Sequence, residues 1–199
     1  MNSFFAFLNR MKYIQRWSLM RSTVPENISE HSQQVAMVGH CLGVINNAVF
    51  GGDVSPDAVC SIAVFHEASE VITGDLPTPI KYYNMSLNSA YKELEDIAED
   101  KLLSYLPEEL REYYIDIIKP DTSSYEYRLV KAADKICALI KCIDELKAGN
   151  TEFRKAKASI EKEIARFNIP EVKYFLDNFL DAFSLSLDEL SQEYQKHIS

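Results

Sequence analysis

Cysteine is sparse and unpaired in this sequence: Cys41, Cys60, Cys137 and Cys142 sit singly within apolar stretches, with no CxxC pair. That excludes both a thiolate-ligated metal site and a disulfide-stapled secreted scaffold. The four are expected to be reduced core thiols of a cytosolic protein. Glycine and proline are also few, 6 and 7, which argues against a turn-dense β architecture and suits helices with short connections. No run approaches the ~20 apolar residues of a membrane span. The apolar start, Met1 to Leu8, is too short for a signal-peptide core. Basic residues are outnumbered, 21 Lys+Arg against 30 Asp+Glu, for a net charge of −9. Such a surface repels a nucleic-acid polymer, whose binding rests on neutralised phosphates. A small anion can still bind where a pocket is locally positive.

What is present is helical periodicity over a length that suits one domain, residues 1–199. Phe4, Phe7, Leu8 and Met11 mark a first helix running out near Arg16-Trp17, followed by a loop over 18–28. Ser29 reads as the N-cap of a second helix, on which His31, Val35, Val38, Leu42 and Ile45 share one face. Gly51-Gly52 closes it. Ser55-Pro56 opens a third helix, on which Val59, Ile62, Ala63, His66 and Glu70 share a face, with Gly74 at its end. Residues 75–81 hold two prolines and form a loop. Residues 82–106 are amphipathic, and 107–118 make a shorter helix. Residues 125–146 are apolar around most of their circumference and predict a central buried helix, stopped by Gly149-Asn150. Two or three helices follow. No strand alternation is sustained, so the fold class is all-α.

The chemistry is concentrated in a few residues. Of four histidines, His31 and His66 lie on apolar helix stripes, where an unpaired imidazole is costly. His40 and His197 do not. For each inward ring alone, a satisfied core histidine is the plain alternative. His66 is followed by Glu67, and Glu70 lies one turn on. Asp134 sits inside the most apolar helix and needs a cation, a metal or several donors; an ion pair with Lys131, Lys135 or a distant Arg is the alternative. Two imidazoles with inward carboxylates make a sensible set for Mn, Co, Fe or Zn.

The pattern His31, then His66-Glu67, then Asp134 resembles the H…HD…D signature of HD-domain phosphohydrolases. The surrounding text is similar to one branch, the bacterial 5′-deoxynucleotidases of the YfbR type. The matching stretches are 9–12 with Arg16-Trp17, Glu26-Asn27-Ile28-Ser29-Glu30-His31-Ser32, residues 68–82 with Gly-Asp-Leu-Pro-Thr-Pro, 130–134, and 186–189. They cover nearly the whole chain. The resemblance implies an HD-domain helical bundle that hydrolyses deoxyribonucleoside 5′-monophosphates in the cytoplasm. It implies one divalent ion on His31, His66, Glu67 and Asp134, and a homodimer. Arg16 is then expected to orient the phosphate, whose oxygens match a planar guanidinium. Glu70 is expected to move a proton. Asp75 is expected to contact substrate and act in catalysis. Trp17, Thr78, Pro79, Ile80, Lys81 and Asp134 complete the substrate set, and Asp75 with 78–81 would reject a 2′-hydroxyl. Tyr82, Tyr83, Phe175 and Phe179 are candidate interface aromatics.

One departure stands out: the family's HD pair reads His66-Glu67. Glutamate keeps the charge and ligand type and reaches one methylene further. A natural variant that still binds metal, a weakened site and an engineered substitution are the open readings, and retained coordination is the one adopted. Two other functions compete: a nucleotide- or metal-binding regulator with impaired turnover, and an HD phosphohydrolase of triphosphates or signalling nucleotides. The chain lacks an added basic segment for the latter.

Overall fold

Eleven α-helices, three 3-10 turns and one isolated antiparallel bridge, Gln15 to Asn27, account for the regular structure of the described residues, and no strand is formed among them. The structure is a computed structural model that describes residues 2–81 and 83–196, apart from the side chains of Thr78 and of residues 193–196. Tyr82 and His197 lie outside the described residues.

Three helices make the centre: α2 (Ile28–Phe50), α3 (Pro56–Phe65) and α8 (Tyr125–Lys147). As the sequence predicts, α8 is buried over most of its circumference, including Leu129, Val130, Ala132, Ala133, Ile136, Cys137 and Leu139. Each buried Leu, Ile or Val among them stabilises the fold by roughly 1.5–3 kcal/mol relative to exposure. Two glycines of α2 permit the close approach. A Cβ on Gly39 would lie 3.0 Å from Val59 Cγ1, and one on Gly43 would lie 2.9 Å from Pro56 Cα. Helices α9 (Arg154–Phe167) and α10 (Pro170–Phe179) add Ile160, Ile164, Val172 and Phe175 to the same core. Phe175 is therefore a core residue (5% exposed) and not an interface aromatic; Phe179 and Tyr83 are exposed.

A second apolar cluster joins α1 (Phe4–Leu8), α6 (Met85–Ser104) and α7 (Glu108–Ile118). Phe4, Leu102, Leu103, Leu106 and Ile118 surround Ala68 there. It packs beneath the turn that carries the second histidine. Two very short helices, α4 (Glu70–Thr73) and α5 (Thr78–Lys81), flank the Pro-rich loop, and α11 (Leu187–Lys196) closes the order.

Several predicted boundaries move, each for a local reason. The first helix stops at Leu8; a 3-10 turn, Met11–Tyr13, follows, and Ile14–Arg16 run alongside the entry to α2. Asn27, not Ser29, caps α2. Its side chain accepts from Ser29 N and Glu30 N, and Glu30 returns a bond to Asn27 N in a capping box. The predicted third helix is broken. It ends at Phe65, and 3-10-type bonds, Ala68 N to Phe65 O (2.8 Å) and Glu70 N to Glu67 O (3.1 Å), carry the chain through a turn before α4. His66 and Glu70 therefore do not share one continuous helix face. The 82–106 helix is α6, capped by Asn84. No helix among the described residues is long and apolar enough to cross a membrane.

The loop at 18–27 is anchored by a buried acid the sequence did not single out. Glu145 on α8 accepts from Thr23 N and Oγ1 (2.8 Å each), Val24 N (3.3 Å), Asn150 Nδ2 (2.8 Å) and Lys141 Nζ. Burial opposes its ionisation, but Lys141, Thr23 and Asn150 outweigh that and hold the carboxyl at about 2. The four cysteines are free, Cys137 and Cys142 buried and Cys41 and Cys60 half-buried.

Candidate metal centre

His31 is placed on the first turn of α2, Asp134 just before the middle of α8, and His66 at the C-cap of α3. The turn after His66 swings Glu67 inward. One donor atom from each of His31, His66, Glu67 and Asp134 lies within 4.8 Å of the others. The sequence-based set therefore converges.

The hydrogen bonds show what the cluster lacks. A carbonyl only accepts, so the 2.7 Å contact of His66 Nδ1 with Ala63 O puts the ring proton on Nδ1. The Nε2 lone pair then faces Glu67 Oε1 at 3.1 Å, and this nitrogen is buried without a hydrogen-bond partner. Two acceptors at that separation need a cation between them, either a proton or a metal. His31 Nε2 meets Asp134 Oδ1 at 3.0 Å, while buried His31 Nδ1 has no partner. Two imidazoles and two carboxylates suit a borderline divalent ion, so these residues fit a metal.

Electrostatics keep the acids charged. Burial disfavours the ionised forms, yet the His31 hydrogen bond and the charges of Lys131, His31 and Arg16 hold Asp134 well below its ordinary range. Glu67 is likewise held low, against burial, by His66, Glu70 and Arg16. Burial and the Arg16 charge push His31 down, which favours the neutral ring a metal requires. Glu70, at 7% exposure, is the opposite case: burial and the adjoining Glu67 charge push it up to about 11, and its Oε2 has no partner.

Arg16 lies at the cluster. Its Nη1 is 3.4 Å from Glu67 Oε1 and its Nε is 3.1 Å from Glu26 Oε2. Against burial, Glu67, Asp134, Glu26 and Asp75 raise its pKa further and fix it as a cation. Trp17 is half-buried against Phe153 and donates its indole N–H to Glu26 Oε2 at 2.9 Å. Its φ of 59° is a left-handed backbone, which for a bulky side chain costs on the order of 1–3 kcal/mol and is held only by its surroundings.

The Pro-flanked loop sits beside this group. Asp75 is half-buried, and burial raises its pKa, partly offset by Arg16. Lys81 is engaged away from it, paired with Glu95 at 2.8 Å and lying over the Tyr91 ring. Pro79 and Ile80 are exposed. The side chain of Thr78 is outside the described residues.

One residue near the cluster, Glu26, escaped the sequence reading, whereas Lys131 enters it as an alternative ion-pair partner of Asp134. Glu26 belongs to a matching stretch but lies in a loop, where no periodicity marks it as buried. Lys131 is one turn before Asp134 on the same face, and it makes no ion pair within 4.0 Å among the described residues, whereas Lys135 pairs with Glu163. A groove of about 720 Å³ lined by Leu8, Met11, Met37, His40, Val64 and Phe65 lies elsewhere and includes none of the cluster residues.

With this geometry in hand, the relatives are informative. The family model of the YfbR-like 5′-deoxynucleotidases matches residues 3–183. A 5′-deoxynucleotidase of Erwinia tasmaniensis is 53% identical over 191 residues, covering 96% of each chain. The 5′-deoxynucleotidase YfbR of Shigella dysenteriae is 49% identical over 191 residues, again 96% of each. Among solved structures, an HD-domain phosphohydrolase from Listeria innocua superposes with a TM-score of 0.80 at 24% identity, covering 98% of both chains. The cyanophage S-2L HD phosphohydrolase DatZ, bound to dA and one catalytic Zn²⁺, gives 0.60 at 21% identity over 97% of this chain and 95% of its own. These two establish the HD-domain helical fold, and the closer sequence relatives establish the branch: the chain belongs to the YfbR-like 5′-deoxynucleotidase family.

Proposed function

We propose that this protein hydrolyses deoxyribonucleoside 5′-monophosphates to deoxynucleoside and phosphate, with one divalent ion held by His31, His66, Glu67 and Asp134. The observation that carries the proposal is the buried face-off of His66 Nε2 and Glu67 Oε1 at 3.1 Å. It leaves a place for positive charge in a cluster completed by His31 and Asp134. The names of the relatives, 5′-deoxynucleotidases, support the substrate class. When bound, a divalent ion supplies Lewis acidity toward water and toward the phosphoryl group.

The remaining work falls to side chains. Arg16 presents its guanidinium to the phosphate, matching charge that spreads over equatorial oxygens. Lys131 adds a second cation, raised against burial by Asp134. Glu70, kept protonated by burial beside Glu67, gives a proton to the departing 5′-oxygen. Trp17 offers its ring to the sugar or base. In this reading Asp75 and the 78–81 segment face the sugar, and a 2′-hydroxyl desolvated there without a partner costs on the order of 1–3 kcal/mol. Lys81 takes part only by leaving Glu95.

Glu67 in place of the pair's aspartate retains coordination in this reading, because the turn after His66 brings its longer side chain into the cluster. Co, Mn, Zn and Fe all suit the donor set. A single domain, a cytoplasmic location and a homodimer complete the proposal; exposed Tyr83 and Phe179 are available for an interface. The test is phosphate release from dAMP and AMP by metal-stripped protein with Mn²⁺ or Co²⁺ restored. Metal-dependent turnover of dAMP well above AMP is expected. Nucleotide binding without turnover supports a regulator instead, and equal rates remove the sugar argument.

A further inference from the structure

We infer that Glu26 is a positioning residue that sets the orientation of Arg16, Trp17 and His31 together. The inference rests on the metal-dependent reading above and concerns a side chain that touches neither substrate nor ion.

Glu26 is 7% exposed and sits one residue before the N-cap of α2. Its backbone is tied to the opposite segment: Arg16 N donates to Glu26 O at 2.9 Å, and Ile28 N donates to Ile14 O at 3.0 Å. The segment carrying Arg16 and Trp17 is thus laid against the entry of the helix that carries His31. The side chain repeats the connection. Oε2 accepts from Arg16 Nε at 3.1 Å and from Trp17 Nε1 at 2.9 Å. Holding Nε turns the far edge of the guanidinium toward Glu67, and Nη2 makes no hydrogen bond among the described residues. Holding the indole N–H fixes the ring of a residue whose backbone is left-handed, at φ 59°.

The other oxygen completes the set. Glu26 Oε1 lies 4.0 Å from His31 Nδ1, the ring nitrogen that is buried and unpartnered. If His31 Nε2 donates its lone pair to a cation, the ring proton must sit on Nδ1, and Glu26 is the acceptor that faces it. His66 has such an acceptor in hydrogen-bond contact, the Ala63 carbonyl at 2.7 Å, whereas Glu26 Oε1 at 4.0 Å faces His31 Nδ1 from beyond hydrogen-bond distance and must close in to accept its proton. Acceptors behind a metal-binding imidazole fix its tautomer, and removing one typically weakens metal affinity 10–100-fold.

The test uses the full chain and its Glu26→Gln variant, both metal-stripped. Glutamine keeps the shape, but its amide NH2 must face either the Arg16 and Trp17 donors or the Nδ1 proton of His31. Two readouts are independent of turnover: Co²⁺ affinity by visible absorption, and emission of Trp17, the chain's one tryptophan. A 10–100-fold loss of Co²⁺ affinity and a shifted Trp17 emission are expected, in a protein whose circular dichroism is unchanged. Lowered thermal stability with Co²⁺ affinity within twofold of wild type and unaltered emission overturns the inference and leaves Glu26 a structural acid. Should Glu26→Gln not fold, Glu26→Asp keeps the charge and withdraws it by one methylene. An intermediate Co²⁺ affinity with shifted emission supports the role, and wild-type values for both overturn it. A wild-type chain that binds Co²⁺ but releases no phosphate sinks the functional reading alone, since the comparison of Glu26 variants still decides this one.

Discussion

Glu145→Gln tests how the loop bearing Thr23 and Val24 is held. The wild-type carboxylate is fully buried and accepts from Thr23, Val24, Asn150 and Lys141. Glutamine removes the charge, turns one acceptor into a donor, and leaves Lys141, itself 8% exposed, without its ion-pair partner. Breaking a buried pair by removing one partner typically costs about 3–5 kcal/mol. Linkage gives a similar figure. A carboxyl held at about 2 instead of its ordinary 4.5 corresponds to about 3 kcal/mol of stability. Because the folded pKa is depressed, that stability is present in full above about pH 5 and is lost as pH falls toward 2. Urea unfolding followed by circular dichroism should show the variant about 3 kcal/mol less stable at pH 7, with a melting temperature roughly 6–12 °C lower. At pH 4 the gap should shrink by about 1 kcal/mol. A gap under about 1 kcal/mol at pH 7, or one of equal size at both pH values, would refute the assignment of Glu145 as the loop's charged anchor.

Three further outcomes are expected. Arg16→Lys cannot span Glu26 and the phosphate with one planar fork, so kcat/KM for dAMP should fall on the order of 10–100-fold, measured by steady-state phosphate release; a change under threefold would remove Arg16 from phosphate orientation. Glu67→Asp should bind Co²⁺ within about threefold of wild type if the longer acid already ligates, whereas a tenfold gain would show that Glu67 spoils the site. Chelator treatment should abolish phosphate release and lower the melting temperature, with Mn²⁺ or Co²⁺ restoring both; full activity after verified metal removal would end the metal reading.

The parts of this molecule that were legible beforehand are those written in long periodic runs. The apolar circumference of 125–146 announced the central helix, and an aspartate within that run announced a site. His31 and His66 stood out because imidazoles are out of place on apolar stripes. The residues that escaped were set by short-range geometry. Asn27 outcompetes Ser29 as the cap because Glu30, three residues on, can close the box with it. The break after Phe65 leaves no glycine or proline to read; it comes from 3-10 bonds that turn Glu67 inward. Glu26 and Glu145 lie or act in irregular backbone, where burial depends on tertiary partners that no periodicity reports. Recognition of Arg16 came from family resemblance, since an arginine ending an apolar segment looks like an ordinary surface residue.

His31 and Asp134 stand 103 positions apart yet touch at 3.0 Å. A chain whose thiols are all unpaired has no covalent tie across that span. A dication seated on both residues would act as a removable rivet between α2 and α8, pulling the population toward the native state by mass action. Scarcity of the ion would then loosen the scaffold as well as silence it, so that abundance in the cell should track metal supply.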